Sequence, residues 1–231
     1  MPMKKLSKPI SDHEARNGLF LLVAAFFCMP SILSELNRLL PTPVDTVTLN
    51  LVYHIVNLIG AVSVFYAFIK RSCLQARERI GRIVVFALIG FVVYHIVLAL
   101  LSQIILLLKP DFANFNDNNI AAQLQTRWIP VAIGTVLIAP FTEELIFRGV
   151  LFGHLYNKHP VTACILSVCA FSSVHILGYI HRADILTLAL SFLQYLPAGL
   201  VLAWVYAKTD SIFTPILLHT MINAIGIYTM R

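Results

Sequence analysis

Charged side chains are the scarcest feature of this sequence. Asp, Glu, Lys and Arg make up 12% of its 231 residues, about half the share in a soluble domain. A soluble fold of this size cannot hide the 58% of residues that are apolar. Cysteine is sparse as well. Cys28, Cys73, Cys164 and Cys169 form no Cys-x-x-Cys pair, which leaves no disulfide framework. They read as small packing residues, with Cys73 in a basic loop that could also be acylated. A His-Glu-x-x-His metalloprotease signature is absent too.

What is abundant is long apolar runs, with mean hydropathy +0.81. Seven stand out: 18–36, 48–69, 83–108, 128–156, 161–180, 185–206 and 211–230. Each is long enough to cross about 30 Å of hydrocarbon at about 1.5 Å per residue. The predicted fold is all-α: a polytopic transmembrane helical bundle of about seven (six to eight) spans, with no room for a separate soluble domain. The first run reads as a span and not a cleaved signal, because a polar stretch precedes it and no small-residue cleavage site follows. The 109–127 segment, rich in Asn, Asp and Gln, reads as the longest loop.

The net charge of +6 does not point to nucleic acid. Lys and Arg cluster in short stretches beside apolar runs, which is how membrane proteins are oriented. Lys4, Lys5, Lys8 and Arg16 precede the first run, and Lys70, Arg71, Arg77, Arg79 and Arg82 follow the second. Both clusters predict a cytosolic amino terminus and place 109–127 outside.

Of 11 acidic residues, only Glu143 and Glu144 lie well inside an apolar run. A carboxylate at membrane depth must be paired, protonated or wetted, and it marks a functional site by default. Glu144 and Arg148 are spaced i,i+4 in the favourable order and predict an ion pair. Glu143 points about 100° away and lacks that partner. The plain alternative is that these three charges only mark a helix end. Two further runs carry Phe171-x-x-x-His175 and His219-x-x-x-Asn223, each pair on one helical face. A lone His in such a run is often a packing residue. Together with Glu143 these side chains supply a general base, a proton carrier and hydrogen-bond donors, as peptide hydrolysis requires. The pentapeptide Val52–Val56 recurs as Val93–Val97, and reads as Tyr and His packing between helices, with a role in a polar site as the alternative.

In order, spacing and placement, the three motifs Glu143-Glu144-x-x-x-Arg148, Phe171-x-x-x-His175 and His219-x-x-x-Asn223 resemble those of the CPBP family. This is the CAAX-protease and bacteriocin-processing group, also called Abi, of intramembrane proteases. The resemblance covers about residues 128–230. It implies a division into an amino-terminal three-span region, 1–127, and a catalytic core, 128–231, within one membrane domain. It implies that Glu143 and His175 activate a water, that His219 and Asn223 stabilise the oxyanion, and that Glu144, Arg148 and Phe171 support them. Glu143, His175 and His219 could also supply a zinc set; no cofactor is favoured. Expected partners are the lipid bilayer and a peptide or membrane-protein substrate, in a bacterial plasma membrane. The competing classes are a non-catalytic regulator or immunity-type binding protein of the same family, and a proton channel using Glu143 and His175. One difficulty stands: straight spans put Glu143 and His219 roughly 9–12 Å from the cytosolic edge and His175 roughly 20 Å from it.

Overall fold

The computed structural model describes residues 5–7 and 9–231. Among the described residues, seven helices are long and apolar enough to cross a membrane. In chain order they are α1 (Asp12–Arg38), α2 (Thr46–Arg77), α3 (Ile80–Leu108), α5 (Trp128–Tyr156), α6 (Pro160–Val174), α7 (Ile185–Thr209) and α8 (Phe213–Met230). Between α3 and α5 lies a shorter polar helix, α4 (Phe115–Thr126). The predicted all-α bundle of about seven spans is therefore present. The 109–127 loop is the correction: most of it is helical. Asn114 caps α4 by accepting from the N–H groups of Asn116 and Asp117. The apolar residues of α4 are too few for a helical period to be legible; Leu124 is its buried contact, in a small cluster with Val47, Val131 and Ile227.

Polar caps start several spans. Ser11 and Glu14 form a capping box on α1, and Asp45 and Asp184 accept from the N–H groups of Thr48 and Thr187. Two spans then widen into i→i+5 turns ahead of a proline: Ala24–Cys28 before Pro30, and Ile133–Ile138 before Pro140. Proline has no N–H for the carbonyl four residues back, and a wide turn lets that carbonyl reach the next N–H instead. A second wide stretch in α5, Leu145–Gly153, contains no proline. Here Ser167 of α6 donates to the Phe147 carbonyl (2.9 Å).

Helix α2 packs on α1 and α5, whereas α3 packs on α7 and α8, and α6 joins the two groups through α5 and α7. Phe65, Phe68, Leu145, Ile146 and Val150 fill one core, and Ala87, Phe147, Phe171, Leu202 and Leu218 fill the next. Side chains such as Phe20, Ile59, Leu100 and Leu107 face outward, as lipid contact allows. Gly18 is where α1 meets α5. A Cβ there would lie 2.4 Å from Val150 Cγ2 and 2.8 Å from Phe65 Cζ. Gly18→Val is therefore expected to cost about 1–3 kcal/mol by overpacking, read as a lower thermal unfolding midpoint in detergent. An unchanged midpoint would show that α1 is not held against α5.

The amino-terminal stretch is more than a lead-in. Leu6 and Ile10 are buried in the core. Leu6 exchanges two hydrogen bonds with the Asn157 side chain (2.8 and 3.0 Å). Ser7 donates twice to Asp210 (3.0 Å from N, 2.5 Å from Oγ), and Arg79 pairs with the same carboxylate at 2.8 Å. Asp210 has a positive φ of 55° and closes the α7–α8 turn. Lys4 and Lys8, counted in the orientation argument, lie outside the described residues.

The depth difficulty of straight spans does not keep the residues apart: His175 and His219 both pack on the Phe171 ring and line one cavity with Glu143. The α7–α8 turn, Thr209, Asp210 and Ser211, is buried beneath the amino-terminal stretch and Arg79. Helix α6 ends at Val174 after 15 residues, about 22 Å. His175 caps it, and the chain turns away through Leu177–Tyr179.

Candidate active site

Arg148 is fully buried at the centre of the bundle. Its Nη1 donates to Glu144 Oε1 (3.0 Å), so the pair expected from i,i+4 spacing is present. Nη2 donates to the Gly199 carbonyl on α7 (3.1 Å). The guanidinium carbon stands 4.4 Å from the centre of the Phe171 ring, a cation–π distance. Phe171 is the hub of the site. Besides Arg148 it touches the rings of Phe147 (5.5 Å), His175 (4.7 Å) and His219 (5.6 Å).

Spacing within a helix could not reveal the next contact. His219 Nδ1–H donates to Glu144 Oε1 at 2.9 Å, across 75 residues of chain. One carboxylate oxygen thus serves both Arg148 and His219, and Nε2 is the ring nitrogen His219 has left for chemistry. His175 is tied in a similar way: its Nδ1–H donates to the Phe171 carbonyl (2.7 Å), which leaves Nε2. Asn223 donates to the Thr135 carbonyl in the first wide turn of α5 (2.8 Å). Glu143 Oε2 is buried without a protein hydrogen-bond partner.

Glu143, Phe171, His175, His219 and Asn223 all line one cavity of about 1420 Å³. Glu144 and Arg148 stand behind its wall. The cavity rim is polar, with Asn116, Asp117, Gln123 and Arg182 among its residues. Tyr195 was not singled out from the sequence. Its ring stacks on His175 at 4.2 Å, and its hydroxyl accepts from Asn116 (3.0 Å) and donates to Asp117 (3.2 Å). Burial pushes the Asp117 carboxyl above the usual carboxylate range. The repeated pentapeptides also line the cavity, through Tyr53, His54, Tyr94 and His95.

The zinc set does not assemble. Among the described residues no three His, Cys, Asp or Glu side chains converge on a point where an ion could sit.

The chain is thus an integral membrane helical bundle that carries a buried acid–arginine–histidine cluster at the wall of a polar cavity. Residues 125–225 match the family described as type II CAAX prenyl endopeptidase Rce1-like. This segment is similar to the Rce1-like CAAX protease family, in agreement with the motif resemblance. It is similar to the putative membrane peptidase YdiL of Bacillus subtilis (strain 168), 36% identical over 88 residues, which cover 38% of this chain and 32% of that protein. It is also similar to the UPF0177 protein YxdF of Lactococcus lactis subsp. lactis (strain IL1403), 30% identical over 90 residues, 39% of this chain and 44% of that protein. The matched segment spans less than half the length of either relative. No solved structure matches the chain.

Proposed function

We propose that the chain is an intramembrane endopeptidase of a bacterial plasma membrane, with the 128–231 region as its catalytic core. The observation that carries this reading is the convergence of Glu143, His175, His219 and Asn223, from α5, α6 and α8, on one cavity inside apolar helices. In this reading Glu143 takes a proton from a water, with His175 Nε2 as its partner. The water oxygen attacks the peptide carbonyl carbon. Charge develops on the carbonyl oxygen and is met by donors from His219 Nε2 and Asn223 Nδ2. Collapse breaks the C–N bond, and the proton held by Glu143 passes to the leaving amine. Donation from Nε2 while Nδ1–H is bonded to Glu144 needs both ring nitrogens protonated, so His219 acts here as the imidazolium, and the Glu144 carboxylate that accepts from Nδ1–H orients the ring and offsets its charge. Arg148 holds Glu144 in place and offsets its charge.

The substrate is a peptide or membrane-protein segment. The test is a trap. Glu143→Gln, carrying a photocrosslinker at the cavity rim, is expected to retain uncut substrates that mass spectrometry identifies, and the same proteins appear shortened in wild-type membranes. Partners that are captured equally by wild type and never shortened would favour the non-catalytic binding reading instead.

A further inference from the structure

The cavity draws on one half of every span. From α2 and α5 it takes early residues, Asn50 and His54, Thr135 and Glu143. From α3 and α8 it takes late ones, His95 and Met230. Its rim is α4 together with the 177–182 turn. Nothing that lines it comes from the α2–α3, α5–α6 or α7–α8 connections. The cavity therefore opens at the end of the bundle where α4 lies.

Positive charge gathers at the other end. Eleven of the 17 Lys and Arg residues precede α1, lie in its first turns, or stand at the α2–α3, α5–α6 and α7–α8 connections. Five stand at the α4 end, and Arg148 is buried between. Three of those five are paired with acids: Arg38 with Glu35, Lys109 with Asp111 and Asp184, and Arg127 with Asp45. The excess of Lys and Arg in short connections fixes the cytosolic face. The α4 end is then extracytoplasmic.

From these two observations we infer that the site is served from the outer face of the membrane, and that its substrates are extracytoplasmic juxtamembrane segments of exported or membrane-anchored polypeptides. This rests on the protease reading for the word substrate, but not for the direction of opening. The rim chemistry fits such a segment. Asn116, Asn118, Asn119 and Gln123 offer amide donors and acceptors to an extended polar chain. Below them, Phe171, Val174, Ala198 and Ile222 offer apolar contact to residues entering from the bilayer. A prenylated carboxyl terminus presented from the cytosol would meet the closed end.

Cysteine accessibility tests the direction without any catalysis. In a chain whose Cys28, Cys164 and Cys169 are replaced by Ser, Asn119→Cys at the rim and the native Cys73 at the opposite end are labelled in intact cells with a membrane-impermeant maleimide. With Cys73 also replaced, Gln194→Cys, inside the cavity, is tested with a small charged thiosulfonate. Asn119→Cys and Gln194→Cys are expected to react in intact cells, and Cys73 only after permeabilisation. The reverse pattern overturns the inference and leaves the protease reading standing with cytosolic substrates. In Glu143→Gln cells, the uncut segments that accumulate are expected to be shaved by external proteinase; their full protection also overturns it. If Glu143→Gln changes no protein at all, the protease reading fails, while the labelling still decides which face the cavity serves.

Discussion

Glu143→Gln is expected to lower the rate of substrate cleavage by about 10²–10⁴-fold, the range that a positioned general base supplies. The side chain keeps its length and loses only the ability to take a proton. Glu143 makes no protein hydrogen bond through Oε2 and contributes no ion pair, so the bundle does not depend on it. Membrane insertion, helicity and unfolding midpoint should match the wild type. This separation matters because the neighbouring acid behaves in the opposite way. Glu144→Gln removes the charge that holds both Arg148 and His219, and it should lose stability and activity together. If Glu143→Gln cleaves at the wild-type rate and Glu144→Gln does not, the two glutamates exchange roles.

The largest expected effect on stability belongs to Arg148→Met. Arg148 is fully buried, bonded to α5 and α7, and stacked on α6. Deleting the guanidinium leaves the Glu144 carboxylate without its cation, which costs about 3–5 kcal/mol when one member of a buried pair is removed. Lysine is a poor substitute, because a single ammonium cannot bond two acceptors and stack at once. The double variant Glu144→Gln/Arg148→Met should recover part of the loss, since no charge is stranded. It should not recover cleavage, because the Glu144–His219 contact is gone. Thermal unfolding in lipid nanodiscs, read beside cleavage of a trapped substrate, distinguishes these outcomes. A double variant no more stable than Arg148→Met would mean that the guanidinium acts by shape and not by charge.

Features that depend on a single helix were legible in the sequence. Hydropathy located all seven spans, and i,i+4 spacing gave the Glu144–Arg148 pair. Contacts between helices were not legible. Nothing in spacing brings His219 to Glu144 or Tyr195 to His175. Local pattern can even mislead. Phe91-x-x-x-His95 repeats the Phe171-x-x-x-His175 spacing, with the same Nδ1–H bond to the carbonyl four residues back (2.8 Å) and rings 4.1 Å apart. What distinguishes His175 is the company of Phe171, which gathers Arg148 and His219 from other helices. The burial of the α7–α8 turn was hidden for a related reason. Burial of the Thr209–Ser211 turn depends on Ser7 and Arg79, which are far away in sequence.

Below the cavity the bundle is closed by packed apolar side chains. Leu145, Ile146 and Phe147, which follow the two glutamates, are fully buried, and Val150 and Phe65 continue the seal. Such a molecule is electrically a half-channel. A well of this volume holds on the order of tens of waters, so the membrane voltage falls mainly across the apolar plug and little across the well. A charge that stays in the well is spared most of the about 2.3 kcal/mol per 100 mV that a full crossing involves. Under the protease reading, Glu143 exchanges protons with the compartment the well opens to, and cleavage is expected to follow the pH of that compartment, whatever the pH behind the plug.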